Sequence, residues 1–179
     1  MELEDRLCFS SEEEYASYLK NVMINEIESK TQELIDVISV VSGAMSVVQA
    51  NQTAAAGCGL TDEELQICSI KIPAICAFLQ ANLASISMST SIDETLIDIK
   101  VAQEINLMPK ERGTGSAGER TKKAELKYAD LRLENVAMKQ YVKSIQDLIT
   151  RADKVYEGIK KTLDYRAREI WFDRKNNGA

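Results

Sequence analysis

The residues with the most chemistry to offer are the cations and aromatic rings in the last third of the chain. Lys122, Lys123, Lys127, Arg132, Lys139, Lys143, Lys160, Lys161, Arg166 and Arg168 recur there, with Tyr128, Tyr141, Tyr156, Tyr165 and Trp171 spread among them. Cations that track phosphates and flat rings on which bases stack are the two components of single-strand nucleic-acid binding. These ten cations are therefore candidate phosphate contacts. The same residues also read as a solvated helix face carrying short-range ion pairs, for example Asp153 and Glu157 near Lys160 and Lys161. Sequence leaves both readings open, and it assigns Tyr128 and Tyr156 to the core.

Other chemistries find little to work with. The chain has no histidine, which removes Ser-His-Asp and Cys-His nucleophile systems and the commonest transition-metal ligand. Gly113 to Gly118 spells GxGxxG, but a dinucleotide site needs a buried strand before it and a helix after it. Here Pro109 and the charged Lys110-Glu111-Arg112 precede it, so the run reads as a linker. No Gly-Lys-Ser/Thr follows to make a phosphate loop. The acids Glu12 to Glu14 and Asp62 to Glu64 fall at expected helix starts, where the positive end of the macrodipole explains them without a metal. Cys8, Cys58, Cys68 and Cys76 show no metal spacing and read as free thiols of a reducing cytoplasm. The expectation is a chain with no catalytic residue, no metal and no cofactor.

The elements that must position the cations are helices. Only two prolines and eight glycines interrupt 179 residues. Ser10 or Ser11 is placed to cap a helix on which Tyr15, Leu19, Val22, Ile27, Leu34, Val37, Val41, Met45 and Val48 recur at helical spacing, ending in the loop Ala56 to Gly59. Thr61 and Glu64 form a capping box that starts a second helix. Its stripe runs through Leu65, Ile72, Leu79, Leu83 and Ile86, with a kink or division expected at Pro73 and a break near Ser91 or Asp93. Ile92, Leu96, Ile99 and Ile105 then lead to Pro109. Residues 110–120 read as a flexible linker. Beyond it Tyr128, Leu131, Met138, Val142, Ile145, Ile149, Ala152, Tyr156, Ile159 and Leu163 keep three-and-four spacing, with Asn135 as a polar seam residue.

The fold class expected is therefore all-α: an elongated antiparallel bundle of coiled-coil-like long helices in one domain, 1–179. It comprises a helix over 1–56, a kinked or divided segment over 61–109, the linker and a basic helix over 121–175. A 45-residue seam spans about 68 Å at 1.5 Å per residue. That length predicts a homo-oligomer. The formal charge of −6 is segregated, since residues 1–109 hold 5 cations against 17 acids and residues 110–179 hold 17 against 11. Such asymmetry often separates a protein-facing part from one that meets polyanions. The acidic N-terminus lacks a signal-peptide pattern, and the apolar stretch Val37 to Val48 is too short to span a bilayer. A cytoplasmic chain without membrane contact is expected.

One resemblance sharpens this. Ile72-Pro73, the Gly-Thr-Gly linker with Glu119-Arg120, the run Lys122 to Leu126, and the segment Gly158 to Ile170 together resemble small helical phage and prophage proteins of the UvsY-like recombination mediator type. The likeness covers about residues 65–172. It implies a non-enzymatic oligomer that binds single-stranded DNA and helps load a recombinase onto strands covered by single-strand-binding protein. Its cytoplasm would be that of the host cell. The overall acidity departs from that pattern and favours an assembled ring or array over a DNA-binding monomer. The alternative is a structural or scaffolding coiled-coil protein of a phage that oligomerises through the same seam and ignores nucleic acid.

Overall fold

The computed structural model describes residues 12–51, 59–108 and 117–177, and all of the elements within them are helical: α1 (Glu12–Asn51), α2 (Asp62–Leu107), α3 (Ala117–Lys127) and α4 (Ala129–Asn177). The protein is all-α, with three helices of 40 residues or more. Contacts divide the expected single domain into two compact units. The first comprises Met1–Asn82 and Asp147–Ala179, the second Leu83–Gln146.

In the first unit α1 contributes Ile27, Leu34 and Val41, spaced by seven and wholly buried. The start of α2 contributes Leu65, Ile72 and Leu79 at the same spacing, and α4 contributes Ile149, Ala152 and Ile159. A seven-residue repeat keeps one face of a helix turned toward its neighbours, so three such faces close a dry seam. Met45, Val48 and Tyr15 have side chains outside the described residues, as do the capping Ser10 and Ser11.

Thr61 caps α2 as its spacing predicts. Its backbone N–H donates to Glu64 Oε2 at 2.7 Å, and the Glu64 N–H donates back to Thr61 Oγ1 at 3.2 Å. That backbone hydrogen bond, reinforced by the Thr61 hydroxyl, holds the Glu64 carboxyl below its usual range.

Neither interruption expected in α2 divides it. Pro73 lies inside the helix. An interior proline costs about 3 kcal/mol, whereas each of the buried neighbours Ile72, Ile75 and Leu79 contributes about 1.5–3 kcal/mol, so packing carries the helix through. The Ser/Thr patch that suggested a break near Ser91 or Asp93 is absorbed by back-bonding. Thr90 and Ser91 hydroxyls both donate to the Ser87 carbonyl, and Thr95 donates to that of Ser91. By length and composition α2 is apolar enough to cross a membrane, with 28% of its apolar window buried inside the protein. Among the described residues that window lies in α2 and not in the stretch Val37 to Val48 of α1.

The basic helix expected over 121–175 is two elements. Helix starts at Ala117, inside the stretch read as linker, and residues 109–116 with the GxGxxG core lie outside the described residues. The chain tightens at Tyr128, whose N–H donates to the Glu125 carbonyl at 3.2 Å, before Arg132 N–H resumes the α pattern on the Tyr128 carbonyl. In the second unit this step lets Ala124 and Tyr128 both pack with Ile97, Val101, Ile105 and Met108 of the α2 end.

Candidate nucleic-acid interface

The ten candidate cations divide by environment. In the second unit three of them form a ladder onto α2. Lys127 Nζ meets Glu104 Oε2 at 2.7 Å, Arg132 Nη2 meets Asp98 Oδ1 at 2.8 Å, and Lys139 Nζ meets Glu94 Oε2 at 2.6 Å. Steps of five and seven residues from Lys127 at the end of α3 along α4 are answered by steps of six and four back along α2, so each cation meets its own acid. The hydrogen bond it donates to Glu104 raises the Lys127 ammonium above its ordinary value. Between the ion pairs lies Asn135, buried at the seam, whose Nδ2 donates to the Thr90 carbonyl at 2.7 Å. This is the polar seam residue of the sequence pattern, and it ties α4 to α2 at a single register. Among the described residues no ion pair involves Lys122, Lys123 or Lys143, which are exposed.

The other four candidates belong to the first unit. Arg166 is taken up locally, since its Nη1 donates to Asp62 Oδ1 at 2.6 Å and to the Leu60 carbonyl at 3.0 Å, anchoring the start of α2. Lys160 pairs with Glu157 at 3.1 Å and sits 4.1 Å from the Tyr156 ring centroid. Its ammonium is raised, chiefly by the Glu157 hydrogen bond. Lys161 and Arg168 are exposed and enter no ion pair among the described residues.

Lys161 and Arg168 stand in an order that a list of cations alone does not reveal. Lys161, Tyr165, Arg168, Phe172 and Lys175 follow one another at four, three, four and three residues, which sets them on one face of α4. Cation and ring alternate along it. Trp171 and Phe172 are 57% and 56% exposed, with ring centroids 5.2 Å apart in an edge-to-face pair. Lys175 Nζ lies 5.0 Å from the Trp171 ring. Tyr165 is also exposed, and its phenol is pushed up by a hydrogen bond to Glu169 and by that carboxylate's charge. Phe172 and Lys175 were missing from the sequence-derived set. The i,i+3/i+4 alternation of the two residue types was the available signal, masked by the acids Asp164, Glu169 and Asp173 between them.

Among the described residues no three His, Cys, Asp or Glu side chains come together as metal ligands. Cys76 is buried and Cys68 half-buried, both as free thiols. Burial, with a smaller push from Asp153, raises the Cys76 thiol to about 11, and burial also raises Cys68. Both are therefore poor nucleophiles. The chain matches no protein-family model, no curated protein and no solved structure.

Proposed function

We propose that this chain is a non-enzymatic accessory protein that binds single-stranded nucleic acid through the C-terminal end of α4. The observation that carries the reading is the exposed stripe Lys161, Tyr165, Arg168, Phe172 and Lys175, with Trp171 beside it. Bases gain about 1–3 kcal/mol each by stacking on such rings, without regard to sequence, and neighbouring cations hold the phosphates. The stripe narrows the ten candidate cations to Lys161 and Arg168 and adds Lys175. Arg132, Lys139 and Arg166 have a different task, tying α4 to α2, and Lys127 ties the end of α3 to α2. Read with the UvsY-like resemblance, the role is that of a phage-type recombination or replication mediator in the host cytoplasm. Single-stranded DNA would then be its ligand, and a recombinase or single-strand-binding protein its protein partner.

Trp171 is the sole tryptophan, so its fluorescence reports on this face alone. Titration with an oligothymidine at low salt is expected to quench it, with weaker binding as salt rises. An unchanged spectrum at low salt contradicts the reading.

A second reading, a structural coiled-coil component without nucleic-acid affinity, draws on the ion-pair ladder, because half of the candidate cations already have acidic partners. It predicts no oligonucleotide response at any salt concentration.

A further inference from the structure

In unit Leu83–Gln146 the part of α2 that turns Leu83, Ile86, Thr90, Ile97 and Val101 inward carries a second seam on its outside. Ser85, Ser89, Ile92, Leu96, Ile99 and Gln103 follow one another at four, three, four, three and four residues, and all six are exposed. Ile92 is 51% exposed and Leu96 48%. Alternating threes and fours are the spacing of a helix-pairing seam, and no charged residue interrupts this one. Contiguous exposure of large apolar side chains, here Ile92, Leu96 and Ile99, marks an interaction surface.

Five charged residues lie on α2 between Leu83 and Leu107. Glu94, Asp98 and Glu104 are taken by Lys139, Arg132 and Lys127. The two left over, Asp93 and Lys100, enter no ion pair among the described residues. Asp93 directly follows Ile92 and Lys100 directly follows Ile99, so both stand on the same edge of the seam, one seven-residue repeat apart. About 10.5 Å of helix separates them, too far for either to neutralise the other. The opposite edge, Met88, Thr95 and Ala102, is uncharged.

We infer that the occupant is the same seam of a second copy, packed antiparallel about the midpoint of Leu96 and Ile99. In an antiparallel helix pair, residues on one edge of the seam face residues on the same edge of the other helix. Setting Leu96 beside Ile99 of the second copy brings Asp93 beside its Lys100. Two-fold symmetry repeats both contacts, so four apolar side chains meet between two ion pairs. A parallel pair sets unlike edges together, and both charges would then meet Met88, Thr95 and Ala102 and stay unanswered. The seam carries its own complement in one direction only.

This dimer does not depend on the nucleic-acid reading, and its test uses no oligonucleotide. Sedimentation of the full chain across a concentration series is expected to give twice the monomer mass. Leu96→Glu, at an exposed position, is expected to give the monomer with an unchanged helical circular dichroism spectrum. Lys100→Glu sets an acid against Asp93 at each end and is expected to weaken the dimer about tenfold. Adding Asp93→Lys to it restores the pairing with the signs reversed, and with it the dimer. A wild-type chain that stays monomeric throughout overturns the proposal and leaves the seam to a different partner. A dimer that survives Leu96→Glu, or a double swap no stronger than Lys100→Glu alone, also overturns it.

Discussion

The two units of this protein hold their helices together by different means. In the first, α1 and parts of α2 and α4 bring seven-residue apolar repeats into one seam. Among the described residues, seven of the eight largest wholly buried side chains lie there and one, Ile86, lies in the second unit. The second unit has two long helix stretches and the short α3, and its seam includes the buried polar residues Thr90 and Asn135. There an interhelical hydrogen bond and three ion pairs fix the register, while Leu126 and Leu133 remain outside. A third long helix makes a dry core possible. Where there are only two, polar contacts do more of the specifying, and a charge spent on register is no longer offered to a phosphate.

Substitutions should separate the two strategies. Ile72→Ala opens a cavity in the three-helix seam and is expected to cost about 2–5 kcal/mol in urea unfolding. A loss under 1 kcal/mol would deny that this seam dominates stability. Asn135→Ala removes the donor to Thr90 and is expected to cost about 1 kcal/mol, with the loss concentrated in hydrogen exchange of Leu83–Gln146. Lys139→Ala should cost less than about 1 kcal/mol, because both members of its pair are substantially exposed, and the effect should fade in high salt. The smallest effect concerns Cys76. Its folded value of about 11 lies above that of an exposed thiol, so its stabilising contribution is fully present below the unfolded value and is lost as pH rises toward 11. In a Cys8→Ser, Cys58→Ser chain, a thiol reagent near neutral pH should modify Cys68 first and Cys76 at least about tenfold more slowly.

The helical class, the Thr61 cap and the seam of α4 were legible in the sequence because each rests on local spacing. Asn135 was legible as a polar seam residue for the same reason. Its acceptor, the Thr90 carbonyl, was not, since a backbone group 45 residues away leaves no mark in side-chain pattern. Pro73 does not divide α2 and the Ser/Thr patch does not break it, because propensity is a local quantity that packing around Ile72 and hydroxyl back-bonding outweigh. The cations were found by type, but their use was hidden. Lys127, Arg132 and Lys139 meet acids on another helix, and only tertiary structure sets them apart from Lys161 and Arg168.

The division of the cations into binders and locks is tested most directly by comparing two triple variants in single-strand affinity as a function of salt. Replacing Lys161, Arg168 and Lys175 by alanine is expected to weaken binding and flatten the salt slope by about 2, since each phosphate contact contributes about 0.7 on a single strand. Replacing Lys127, Arg132 and Lys139 by alanine should leave the slope unchanged. Equal losses from both variants, or a loss only from the second, would contradict the account.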